Sequence, residues 1–154
     1  MAYLTEELNI FPICEADDYG SAGETFDSFK LSNANWATVI ITFGALTGNS
    51  ILTVSSGASA GTETTAETFT YRYTGADYEA ANSDLWGTAT TSAALTLTAG
   101  TYDHRSIAIE IDPATITDGQ PWITIKIDST ATAMNVAAVA IIKPRYAVAA
   151  TQLA

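Results

Sequence analysis

A chain of 154 residues and 16.2 kDa is the size of one domain, long enough to bury about 70% of its unfolded surface around a single core. Hydrophobic residues make up 47% and charged ones only 15%, so Thr, Ser, Ala and Asn must cover much of the outside. Six basic against seventeen acidic residues, a formal charge of -11, repel a phosphate backbone and an anionic lipid surface. No apolar run approaches the roughly 20 residues of a spanning helix, so neither nucleic acid nor membrane is an expected partner.

The chain opens "MAYLTEELNIFPICEADD", with acidic residues where an export signal carries basic ones ahead of an unbroken apolar stretch. Synthesis and residence in a cytoplasm are expected. Residues 1–14 carry Leu8, Ile10, Phe11 and Ile13 around Pro12, which forbids a regular helix and suits an extended arm. Such an arm either finds a partner or packs on its own domain as a first edge strand. Cys14 is the single cysteine; it has no disulfide partner in the chain and no basic neighbour to lower its pKa, and the role of a small buried hydrophobe fits it. "EADDYGSAGE" (15–24) then offers Glu15, Asp17, Asp18 and Glu24. These are the hard oxygen ligands that calcium takes, but they lack EF-hand spacing, and a solvated acidic loop is expected.

From about residue 24 the pattern is period-2 alternation in short Thr-, Val-, Ile- and aromatic-rich runs, broken by Gly, Asn, Asp and Pro. The runs are "TFDSFKL" (25–31), "WATVIITFG" (36–44), "SILTVSSG" (50–57), "ETFTYRY" (67–73), "AALTLT" (93–98), "RSIAIEID" (105–112), "PWITIKID" (121–128) and "NVAAVAIIK" (135–143). Alternation sends Ile107, Ile109 and Ile111 inward, with Ser106, Ala108, Glu110 and Asp112 outward. It likewise sends Ile123, Ile125 and Ile127 inward, with Thr124, Lys126 and Asp128 facing water. Two runs break this rule. Ile40 opposes Val39, Ile41 and Phe43, and Ala138, Ala140 and Ile142 leave a second face of the last run nearly apolar. A covering loop or a subunit interface accounts for both, and obligate interfaces resemble a core cut in half. The interface candidates are therefore Leu8, Ile10, Phe11 and Ile13 of the arm with Ala138, Ala140 and Ile142 of the last run.

"TGNS" (47–50) sits at hairpin distance between two strands, and Pro121 opens a strand where no ladder donor is lost. Thr74 and Asp77 form an imperfect capping box for a short helix over 76–81. Eight runs with some long connections point to an all-β, two-sheet antiparallel sandwich, jelly-roll-like, with one short helix in a connection. The organisation expected is an arm (1–14), a sandwich domain (15–147) and a tail (148–154).

Chemistry is sparse. His104, the only histidine, lies in "TYDHRSIAIEID" (101–112) between Asp103 and Arg105, but consecutive side chains of an extended segment point to opposite faces and do not converge on one atom. A turn at a strand entrance is the better reading, with Gly100 and Asp103 shaping the corner. One His and one Cys do not make a zinc site, and "GASAG" (57–61) lacks the Lys and helix of a phosphate loop. Trp36, Trp86 and Trp122 with Tyr71, Tyr73 and Tyr78 are the material of a sugar platform, although Trp36 and Trp122 begin strands, where a core-rim role is common. No cofactor, metal or enzymatic activity is expected.

"FTYRYTGADYEAANSDLWG" (69–87), "TYDHRSIAIEID" and "DGQPWITIKIDSTATAMNVAAVAIIKPRYA" (118–147) together resemble small structural proteins of tailed bacteriophages and prophages, a likeness that covers residues 36–147. The resemblance implies a virion component, a capsid cement or decoration protein. Such a β-sandwich binds the outside of the head lattice, partners the major capsid protein and forms a homotrimer. The alternatives are a tail, neck or head-fibre component, or a carbohydrate- or receptor-binding module.

Overall fold

Where apolar and polar residues alternate, the chain forms strands with one buried face. A computed structural model describes residues 4–75 and 84–146. A helical turn, α1 (Leu4–Glu7), leads into β1 (Asn9–Asp18), followed by β2 (Glu24–Thr25), β3 (Phe29–Lys30), β4 (Ala34–Thr47), β5 (Asn49–Gly57), β6 (Thr65–Ala66) and β7 (Phe69–Tyr73). After 84 come β8 (Thr90–Ser92), β9 (Ala94–Thr98), a second helical turn α2 (Ala99–Tyr102), β10 (Ser106–Ile111), β11 (Trp122–Ser129) and β12 (Ala133–Pro144). The helix expected over 76–81 and the tail 148–154 lie outside the described residues.

The strands make an all-β, two-sheet antiparallel sandwich. One sheet runs β1-β12-β4-β10-β7-β8; the other runs β2-β11-β5-β6, with β3 also beside β11 and β9 beside β5. The pairing is nested. The first strand lies against the last, β2 and β3 against β11, β4 against β10, and β5 against β9. The inner faces fill the space between the sheets: Val39, Ile41, Ile107 and Ile109 meet Leu52, Val54, Ile123 and Ile125, all with no accessible surface. Each such side chain contributes about 1.5–3 kcal/mol on burial. Small residues sit beside large ones, Ala138 opposite Ile41 and Ala140 opposite Val39, which keeps the layer closely packed.

The structure corrects several expectations. "TGNS" is not a hairpin: β4 and β5 belong to different sheets, and Gly48, with φ 88°, turns the chain from one to the other against the backbone of Ala131. The run 25–31 is broken into β2 and β3, because Phe26 N bonds to Ile125 O while Asp27 N reaches across to Ile13 O. Thr124, expected at the surface, is 1% exposed, flanked in register by Ser55 and by the segment between β2 and β3. Ala108 also faces outward yet is buried, a methyl group between the larger Ile40 and Arg72.

One end of the sandwich is closed by a buried carboxylate. Glu67 N donates to Val54 O, and its Oε1 accepts from Ser56 Oγ and from Thr117 N. Burial pushes the carboxyl up, but these hydrogen bonds outweigh burial and hold it below the usual carboxylate range. The bond to Thr117 ties the connection between β10 and β11 to the core.

Candidate interaction surface

Strand parity defines the outer face of the sheet led by β1. In β12 the even-numbered Met134, Val136, Ala138, Ala140 and Ile142 are buried, so Ala137, Val139, Ile141 and Lys143 point out. The register then places Pro12, Val139, Ile40, Ala108 and Arg72 in one row, and Ile10, Ile141, Thr38, Glu110 and Thr70 in the next. Trp36 stands beside Lys143. Ile10 (38%), Trp36 (38%) and Val139 (36%) are among the exposed large hydrophobics.

The polar groups on this face largely satisfy one another. Thr38 Oγ1 donates to Glu110 Oε2 at 2.8 Å, and the Thr42 and Ser106 hydroxyls share a bond of 3.1 Å. A face whose hydroxyls are already paired loses less when water leaves it. Its central rows carry two charges, Glu110 and Arg72, in a chain of net charge -11.

Both ends of the face are charged. Lys143 marks one. At the other, Asp17, Asp18 and His104 line a shallow groove of about 600 Å³ together with Thr42, Asn135 and Ala137. The acidic side chains there have structural partners. Asp17 Oδ1 accepts from Asp18 N at 2.8 Å, and Asp18 Oδ1 accepts from Gly20 N and Met134 N. Among the described residues, no group of three or more His, Cys, Asp or Glu is arranged to hold a metal ion.

The Asp103-His104-Arg105 cluster is a corner between α2 and β10. His104 has φ 54°, and its N–H bonds to Gly44 O. Asp103 Oδ1 accepts from Leu46 N at 2.8 Å and lies 3.8 Å from His104 Nε2. The Arg105 guanidinium reaches the carbonyls of Thr74 and Gly75 at 3.4 Å and sits 6.0 Å from the centre of the Tyr73 ring. Asp103 and His104 tie the corner to β4, and Arg105 ties it to the segment after β7.

The sequence-derived interface residues divide between inside and outside. Ile13, Ala138, Ala140 and Ile142 are in the core of this chain's own sandwich, and Phe11 packs edge-to-face on Phe29 with centroids 6.4 Å apart. Of the arm, Ile10 is exposed and Leu8 half-buried. From Asn9 onward the arm is β1, seated on β12 and running past the boundary expected at residue 14. Cys14 is buried beside the Tyr19 hydroxyl, its Sγ 3.6 Å away, and burial pushes the thiol up. Sequence reasoning missed the outward Val139, Ile141 and Ile40 as one patch, because only cross-strand register brings them together.

The tryptophans do not form one platform. Trp36 is opposite Lys143, whereas Trp86 bridges Thr74 near the Ser106 and Thr42 end, about 20 Å away along β4 at roughly 3.3 Å per residue. Trp122 is on the other sheet, with Lys30 Nζ 5.8 Å from its ring centre.

No protein-family model matches the chain, and no curated protein matches it. Among solved structures it is similar to the crystal structure of the SPBc2 prophage-derived protein YomS, with a TM-score of 0.48 and 14% identity over 87% of this chain and 92% of that one. It is similar to the same degree, TM-score 0.48 and 13% identity over 90% and 89%, to a structure from Bacillus endospore appendages that form disulfide-linked pili. A structure of infectious bursal disease virus, Gx strain, scores 0.21 at 14% identity, over 89% of this chain and 42% of that one. These are distant likenesses, and none of them supplies a family for the chain.

Proposed function

We propose that the chain is a non-enzymatic structural component of a tailed-phage virion, a cement or decoration protein that binds the outside of the head lattice and stabilises the major capsid protein there. The observation that carries this reading is the outer face of the β1-led sheet. It presents large apolar side chains, self-paired hydroxyls and few charges in a strongly acidic molecule, which is the surface of a protein that completes its burial in an assembly. The nested strand pairing supports a jelly-roll-like winding, an architecture of virion shells. Stabilisation then follows by linkage: a protein that binds only the expanded lattice adds RT ln(1 + [L]/Kd) to that state, about 2.7 kcal/mol at a hundredfold excess over Kd.

The test is co-sedimentation of the purified protein with heads of the encoding phage that lack it. Saturable binding to expanded heads, with a raised head disruption temperature, is expected. Binding to tails alone would move the protein elsewhere in the virion, and binding to neither would overturn the reading.

A further inference from the structure

Glu67, which closes one end of the sandwich, belongs to a group of three side chains that the virion reading does not use. Ser56 shares the inner face of β5 with Leu52 and Val54 and has no accessible surface. Its Oγ lies 2.5 Å from Glu67 Oε1 and 2.9 Å from Gln120 Oε1. A hydroxyl carries one proton and cannot donate to both. The shorter contact, to the carboxylate, takes it, and an Oγ lone pair then faces the Gln120 amide. With a C=O bond of about 1.23 Å, Gln120 Cδ is within about 4.1 Å of Oγ, near the roughly 3–3.5 Å at which reacting atoms meet. Exchanging the amide oxygen and nitrogen leaves Cδ where it is.

From this geometry we propose that the chain cross-links itself: Ser56 Oγ attacks Gln120 Cδ to form an internal ester, with Glu67 as the base. The Oγ–Cδ bond forms and the Cδ–Nε2 bond breaks. Glu67 takes the proton from Oγ and passes it to Nε2, and ammonia leaves. Burial pushes the Glu67 carboxyl up, but the bonds from Ser56 and Thr117 hold it below the usual range, so it is ionised and able to accept that proton. The electrophile is held as firmly. Gln120 N bonds to Thr117 O across a turn in which Gly119 has φ 76°, and Leu31 N bonds to Pro121 O just beyond it. Ser56 is sealed and Glu67 is 8% exposed, so water is kept from the ester once it has formed. Gln120 is half-buried and lines a surface groove with Ser32, Asp118 and Arg145, which gives the ammonia its exit. The reaction runs once per molecule, so a slow rate suffices. The link joins positions 64 apart in sequence and restricts the unfolded chain as a disulfide does, in a protein whose single cysteine cannot form one within the chain. It concerns how the sandwich is held closed and is independent of what its outer face binds.

The test is the intact mass of the purified full chain, before and after prolonged incubation at neutral pH. The native protein is expected to fall below the mass calculated from its sequence by one ammonia. Proteolysis is then expected to release one pair of peptides joined through Ser56 and Gln120, which alkaline hydroxylamine separates. Ser56→Ala and Gln120→Ala are expected to keep their full calculated masses. Glu67→Gln is expected to fold, by circular dichroism, and to form the link about 100-fold more slowly or worse. A native chain that keeps its full mass throughout overturns the proposal whatever the variants do. Ammonia loss that persists in Ser56→Ala, or a link that folded Glu67→Gln forms at the native rate, would overturn it equally.

Discussion

His104 holds a left-handed backbone conformation, φ 54°, that a residue with a Cβ adopts at a cost of about 1 kcal/mol. It is there because the corner must turn between α2 and β10 while its N–H reaches Gly44. His104→Gly is therefore expected to keep or raise the unfolding free energy, by up to about 1 kcal/mol, and to leave head binding intact. Loss of head binding by a folded His104→Gly protein would give the imidazole a task that the corner reading denies it. Glu67 is the opposite case, a charged side chain whose environment is arranged for its charge. Its folded pKa lies below the ordinary 4.5, so it contributes stability above that value and loses the contribution as pH falls through the lower folded one. The urea midpoint of the native protein is expected to drop below about pH 4.5 more steeply than that of Glu67→Gln. Glu67→Ala should cost about 1–3 kcal/mol at neutral pH by leaving Thr117 N without its acceptor. Parallel pH profiles for native protein and Glu67→Gln would show that the carboxylate is not coupled to folding.

At the scale of elements, the last strand makes the sharpest distinction. Ala138→Asp places a charge in the sealed core and should prevent folding, a loss of several kcal/mol, whereas Val139→Asp should fold with stability within about 1 kcal/mol of the native chain. Circular dichroism and urea unfolding of the two variants decide it; equal damage would mean that the strand is buried on both faces. The sequence alone does not separate these positions, because both parities of "NVAAVAIIK" are apolar and alternation carries information only where one face is polar. In "RSIAIEID" and "PWITIKID" it does, and Ile107, Ile109, Ile123 and Ile125 are inside as the pattern requires. Thr124 escaped the same logic because its cover comes from a segment distant in sequence. "TGNS" escaped it because a glycine turn between two strands has the same local chemistry whether the strands pair or part. A further check lies at Gly57, where a Cβ would overlap the Thr62 side chain and carbonyl. Gly57→Ala is expected to cost about 1–3 kcal/mol in urea unfolding, and a neutral result would mean that the 58–64 loop moves freely off β5.

For the whole molecule, the all-β class and the two layers were legible in short alternating runs, but the nesting of first strand with last was not. That order is set by long-range pairing, and no local period encodes it. The candidate surface shares this origin. Its members come from β1, β4, β10 and β12 and become one patch only through register, so residues nominated from single strands were divided between core and surface. A largely apolar sheet face on an acidic sandwich is the feature that supports the virion role. The most direct test of the virion role is the disruption temperature of phage heads lacking the protein, measured with and without saturating native protein. The account predicts a rise that saturates at a fixed ratio of protein to capsid subunit; heads that neither bind the protein nor gain stability from it would contradict the cement reading.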